Sequence, residues 1–157
     1  MSEAMQHEVI ELADMRTVGV PHRGPYMQIR SAFEKLGEAA GRAGLFGRPG
    51  VVMLGVYYDD PRTTPADELR SSAALQLPDD VPTPDGLTEA RIAGGRFLKV
   101  VHKGSYEALP ETWEAAYGIL SQERLQMRDA PSFEIYRTSP GEVAEADLLT
   151  EILIPIE

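Results

Sequence analysis

His22-Arg23-Gly24-Pro25-Tyr26 and His102-Lys103-Gly104-Ser105-Tyr106 are near-copies set 80 residues apart, and the apolar positions behind them keep step. Ile29 answers Leu109, Phe33 answers Trp113, Leu36 answers Ala116 and Ala40 answers Leu120. A fixed-period repeat constrains a fold more than any local pattern, because one supersecondary unit must then be built twice. The chain reads as an internal duplication whose copies are expected to pack about a pseudo-twofold axis, with matching positions lining any site at the seam. Departures from the repeat are therefore informative, and the largest is a carboxylate, Glu134.

Each copy can be read in order. Residues 8–13 and 16–23 carry Val, Ile and Thr in partial alternation, which predicts two short strands forming an opening hairpin through Asp14 and Met15. A helix should start at Pro25, where a missing N–H costs nothing. It carries Tyr26, Ile29, Phe33, Leu36 and Ala40 at helical spacing and ends at Gly41 and Gly44. Val51–Tyr58 is a β-branched and aromatic strand between turn signals, Thr64–Leu69 a capped helical turn, and Ser72–Leu77 a fourth strand. Residues 88–92 and 96–102 repeat the hairpin across Gly94-Gly95. A second helix through Trp113 follows, with Pro110 expected to delay its regular start by about one turn. Phe133–Tyr136 and Leu148–Ile156 close the second copy. The fold class is α+β: tandem ββαββ, two strand-helix-strand-strand modules with antiparallel sheet and two main helices. The modules are placed at 7–77 and 87–157 in a single domain of residues 1–157. The Pro/Asp-rich PDDVPTPDG, residues 78–86, is read as the linker.

Composition excludes several function classes. The net charge of -10 divides evenly, with 8 basic and 13 acidic residues in 1–87 and 7 and 12 in 88–157. Neither half offers the basic stripe that phosphate contacts require, so direct nucleic-acid binding is not expected. With no cysteine there is no disulfide framework or thiolate metal site. The longest apolar run, Val51–Tyr58, falls far short of the roughly 20 residues that span a bilayer, and the opening MSEAMQHEVIEL lacks a targeting pattern. A cytoplasmic location without membrane association is the expectation.

MRTVGVPHRGPY (15–26), VYYDDPRTTPADELRSSAAL (56–75), GGRFLKVVHKGSY (94–106), APSFEIY (130–136) and LLTEILIPI (148–156) occur in family order across almost the whole chain. Together they resemble the GyrI-like small-molecule-binding domain. That domain stands alone in a bacterial DNA gyrase inhibitor and serves as the effector-binding module of AraC-type and multidrug-responsive regulators. The resemblance implies a ligand cleft between two modules, with an acidic residue at its floor that accepts bulky aromatic cations. A standalone member, without an attached DNA-binding module, is the expectation. Ser105 stands where the family's H-x-G-P-Y element has proline, Pro110 enters the second helix, and Ser72 replaces a frequent aspartate.

The residues support such a site in their own terms. At an offset of 79, Gly55 aligns with Glu134, Val56 with Ile135 and Tyr57 with Tyr136. Strand alternation places Glu134 and Tyr136 on one face, with Phe133 and Ile135 on the other. Glu134 is thus a charge where the sister copy has no side chain, and a desolvated carboxylate attracts a cation more strongly than an exposed one. Tyr57, Tyr136, Trp113 and Tyr106 are the available aromatic walls. Each has an ordinary alternative: Glu134 as a solvent-facing residue or a bridge to Arg96, Trp113 as helix-to-sheet core, as Phe33 is taken to be. His22 and His102, both at strand-to-helix corners, suit structural hydrogen bonds better than catalysis. Asp59 and Asp60, before Pro61, suit a turn better than a metal site. No cofactor or metal is expected.

Three functions remain open at this level. Capture of amphipathic, cationic aromatic compounds is preferred. The others are hydrolysis of electrophilic, cyclopropanoid-type toxins by Glu134 with Tyr57, and a protein-interaction role with gyrase or a regulator as partner.

Overall fold

The computed structural model describes residues 6–138 and 141–157. Eight strands and two helices alternate along it. The order is β1 (His7–Leu12), β2 (Met15–Arg23), α1 (Arg30–Arg42), β3 (Val52–Tyr57), β4 (Arg70–Gln76), β5 (Thr88–Ile92), β6 (Gly95–Lys103), α2 (Leu109–Gln122), β7 (Ser132–Tyr136) and β8 (Leu149–Pro155). The α+β class with antiparallel strands and two main helices is as the sequence indicates.

The pairing of the first strands is not. β1 pairs with β6 and β5 pairs with β2, both antiparallel, so neither expected hairpin forms. A two-residue hairpin turn needs positive φ at one or both central residues. Among the described residues the only non-glycine with positive φ is Arg124, so Ala13-Asp14 does not turn back. In the second copy the two residues between β5 and β6 are Ala93 and Gly94, and neither has positive φ. The contacts accordingly group the chain as Asp14–Ala93 in a first unit, and β1 with Gly94–Glu157 in a second.

In the first unit the strand order is β3-β4-β2-β5, each neighbour antiparallel. α1 lays Leu36, Ala39 and Ala40 on Val18, Ala73 and Leu75, with Phe33 and Tyr57 packed at the margin. Each fully buried Leu or Val here is worth about 1.5–3 kcal/mol. The segment 78–86, read as a linker, lies inside this unit. The buried Arg16 guanidinium donates to the carbonyls of Pro78 and Val81 at 2.7 and 2.5 Å and to Thr83 Oγ1 at 3.1 Å, and pairs with Glu89.

The second unit has the matching order β7-β8-β6-β1. α2 lays Ala116, Ile119 and Leu120 on Leu98, Val100, Ile152 and Ile154. The correspondence reaches single bonds. Gly24 and Gly104 share a φ of 119, which suits glycine alone, and their N–H groups donate to Leu69 and Leu148, both at 2.8 Å.

α1 begins later than the sequence suggests and α2 about one turn in, as expected, each after a 3₁₀ turn, Tyr26–Gln28 or Tyr106–Ala108. Pro110 causes no delay. It is the second residue of α2, where no intrahelical N–H bond is lost, and α2 starts one repeat position ahead of α1. Among the described residues no helix is long and apolar enough to cross a membrane.

Candidate functional site

Glu134 sits in the middle of β7, directly opposite Ile152 of β8, while Tyr136 lies opposite Thr150. Ile152 belongs to the core beneath α2, so Glu134 and Tyr136 rise from the face that α2 covers. Phe133 and Ile135, on the other face, are also buried. Glu134 does not face water, being only 4% exposed. Arg96, the cation considered for it, donates instead to the Glu157 carbonyl at 2.7 Å.

Two aromatic side chains hydrogen-bond the carboxylate. Trp113 Nε1, from α2, donates to Glu134 Oε2 at 2.9 Å, and the Tyr136 hydroxyl donates to Oε1 at 3.1 Å. Hydrogen bonds to a charged acceptor are worth about 1.5–3 kcal/mol each, enough to offset much of the cost of desolvating it. Tyr106 stands edge-on to Tyr136 at 5.6 Å between centroids, and Trp113 lies 6.0 Å from Tyr117. Burial, and secondly the negative charge of Glu134, push the Tyr106 phenol above its ordinary pKa. Glu134 therefore lies under half-buried aromatic rings that reach the surface.

Of the residues singled out from sequence, the fold brings Glu134, Tyr136, Trp113 and Tyr106 together in the second unit. Trp113 also packs on the core, the ordinary alternative considered for it. Tyr57 belongs to the first unit, where its ring lies 4.7 Å from Tyr26. The Tyr26 hydroxyl donates to the Asp59 carbonyl at 2.6 Å, as that of Tyr106 does to Thr138 at 3.4 Å.

The histidines anchor the corners. His22 Nε2 reaches the Pro25 carbonyl at 3.2 Å, and His102 Nε2 reaches that of Ser105 at 2.8 Å. A carbonyl only accepts, so Nε2 of His102 carries hydrogen and its Nδ1 takes the Thr112 hydroxyl at 2.7 Å. Asp59 and Asp60 close a turn. Asp59 accepts the Arg70 backbone N–H at 2.8 Å and Asp60 that of Arg62 at 2.8 Å, and the two guanidiniums hold both carboxyls below the usual range. Among the described residues no group of three or more side chains could hold a metal.

The sequence reading missed Thr150, buried opposite Tyr136 and on the same face as Glu134. A β-branched residue in a strand looks like ordinary core. Only the cross-strand register reveals its neighbours.

The chain matches the GyrI-like small molecule binding domain over residues 5–157. A DNA gyrase inhibitor of Salmonella typhimurium (strain LT2) is 26% identical over 158 residues, 98% of this chain and 99% of that protein. Two solved structures share the fold. A protein bound to tetraphenylphosphonium superposes with a TM-score of 0.68 at 16% identity, covering 98% of this chain and 94% of that one. A hydrolase from Listeria innocua gives 0.65 at 17% identity, covering 99% and 94%.

Proposed function

The chain belongs to the GyrI-like small-molecule-binding domain family, and from that premise we propose that it captures amphipathic, cationic aromatic compounds at Glu134. The observation that carries this reading is a carboxylate 4% exposed, held by the Trp113 indole and the Tyr136 phenol. A desolvated carboxylate attracts a cation strongly, and each aromatic face adds about 0.5–2 kcal/mol of cation–π attraction. Trp113, Tyr136 and Tyr106 are the ring contacts of this proposal, and Tyr57 is their counterpart in the first unit. The capture of a cationic aromatic molecule by a protein of the same fold supports the choice of ligand class. Saturable binding of a rhodamine dye tests it. Wild type should bind, Glu134→Gln should bind at least tenfold more weakly, and equal affinity would remove Glu134 from the account.

A second reading is favoured by the Tyr136 phenol resting on the carboxylate and by the hydrolase among proteins of this fold. Glu134 would take a proton from water as it attacks an electrophilic carbon of a strained ring, and a tyrosine would protonate the leaving atom. Tyr57, named from sequence for that role, lies beside Tyr26, whereas Tyr136 touches Glu134. Turnover of a cyclopropanoid electrophile by wild type and none by Glu134→Gln would establish it. The name of the Salmonella relative points to gyrase as a protein partner. Inhibition of supercoiling by the purified chain would support that partner, and an unaffected assay would count against it.

A further inference from the structure

Among the described residues, two side-chain oxygens are fully buried with no hydrogen-bond partner, and they belong to one position of the repeat: Ser71 Oγ and Thr150 Oγ1, 79 residues apart. Each lies on the strand that runs between a corner histidine and a site tyrosine. Ser71 is opposite His22 and Tyr57, and Thr150 is opposite His102 and Tyr136. Their exposures are 1% and 0%.

An orphaned buried hydroxyl is unfavourable, and valine would fill the place of Thr150 with nothing left unsatisfied. The neighbouring polar groups are engaged elsewhere. His102 bonds Thr112 and Ser105, and the Tyr136 hydroxyl is on Glu134. Directly opposite residues of an antiparallel pair share a sheet face, and diagonal neighbours lie roughly 7–8 Å apart. Glu134 faces Ile152 and Thr150 is two residues along, so the hydroxyl is the diagonal neighbour of the carboxylate on the α2-covered face.

Resting on the cation-site reading above, we propose that Thr150 is a specificity-determining contact. It gives the site a second polar point, selecting organic cations that also carry a hydroxyl, ether or carbonyl oxygen. A hydrogen-bonding ligand group satisfies the orphan hydroxyl, whereas a purely apolar cation leaves it unsatisfied. Ser71 offers the equivalent hydroxyl in the first unit. Discrimination of this kind is large when a buried polar group of the site is otherwise unpaired.

The test is calorimetric titration of the full chain with a matched pair, tetraphenylphosphonium and its (4-hydroxyphenyl)triphenylphosphonium analogue. Wild type should prefer the hydroxylated cation about fivefold or more. Thr150→Val should erase the preference while changing tetraphenylphosphonium affinity less than twofold, and Thr150→Ser should keep it. Thermal melts of both variants establish that they are folded, with Thr150→Val at or above wild type. Equal affinity of wild type for the two cations, or a preference that survives Thr150→Val, overturns this proposal alone. Failure of wild type to bind either cation overturns the cation-site reading and this proposal with it.

Discussion

The first and second units repeat one another in strand order, in the positive-φ glycine before each 3₁₀ turn and in the tyrosine hydroxyl that reaches a carbonyl, yet they differ sharply in buried chemistry. Where the first unit has Gly55, Phe33 and Ala32, the second has Glu134, Trp113 and Thr112. The substitutions are concerted. A carboxylate appears on β7, an indole N–H appears on α2 to meet it, and Thr112 fixes the ring of His102 nearby. The backbone repeat sets a scaffold, and only one copy carries the buried carboxylate with its indole donor. At the turn after β3 the polarity reverses. Asp59 and Arg70 bind each other in the first unit, whereas Thr138 Oγ1 accepts the Leu149 N–H at 2.8 Å in the second.

The largest effect is expected from forcing the first unit to imitate the second. Gly55→Glu places a carboxylate beneath Phe33, which has no N–H to offer, and should destabilise by about 3–5 kcal/mol in urea unfolding. A loss below about 1 kcal/mol would mean that the indole is not what makes Glu134 tolerable. The reverse change, Trp113→Phe, strips one donor from Glu134 and should cost about 2 kcal/mol by the same measurement.

A smaller difference separates the turns in acid. Arg70 holds the Asp59 pKa below its ordinary value, so the stability it contributes is present above about pH 4 and is lost as pH falls through the lower folded value. Asp59→Asn should be less stable at neutral pH and lose less between neutral pH and pH 2. Parallel stability curves for wild type and variant would show the pair to be fully screened. The smallest effect concerns the corner. Ser105 has φ -57 and ψ 143, close to the -52 and 134 of Pro25, and its hydroxyl accepts the Glu107 N–H at 3.1 Å. Ser105→Pro removes that cap but restrains the unfolded chain, and the two should cancel to within about 0.5 kcal/mol in the melting free energy.

Much of this architecture was legible in the residues. Helix spacing from Ile29 and Leu109, the β-branched strands and the off-repeat Glu134 follow from local periodicity and self-comparison. The destination of β1 and β5 did not, because a strand's alternation is the same whichever neighbour it pairs with, and Gly94-Gly95 suggested a hairpin turn that does not form. The Trp113–Glu134 bond and the orphan Thr150 were equally hidden. Both depend on which residues of α2, β7 and β8 fall opposite one another, a matter of register between distant segments.

Trp113 is the only tryptophan and its indole touches Glu134, so its emission reports on the carboxylate itself. Titration with tetraphenylphosphonium should perturb that emission saturably in wild type, with the midpoint moving at least tenfold higher in Glu134→Gln. An unchanged midpoint in the variant, or a wild-type emission unaltered at saturating tetraphenylphosphonium, would contradict the claim that a buried acid behind aromatic rings draws in a positive guest.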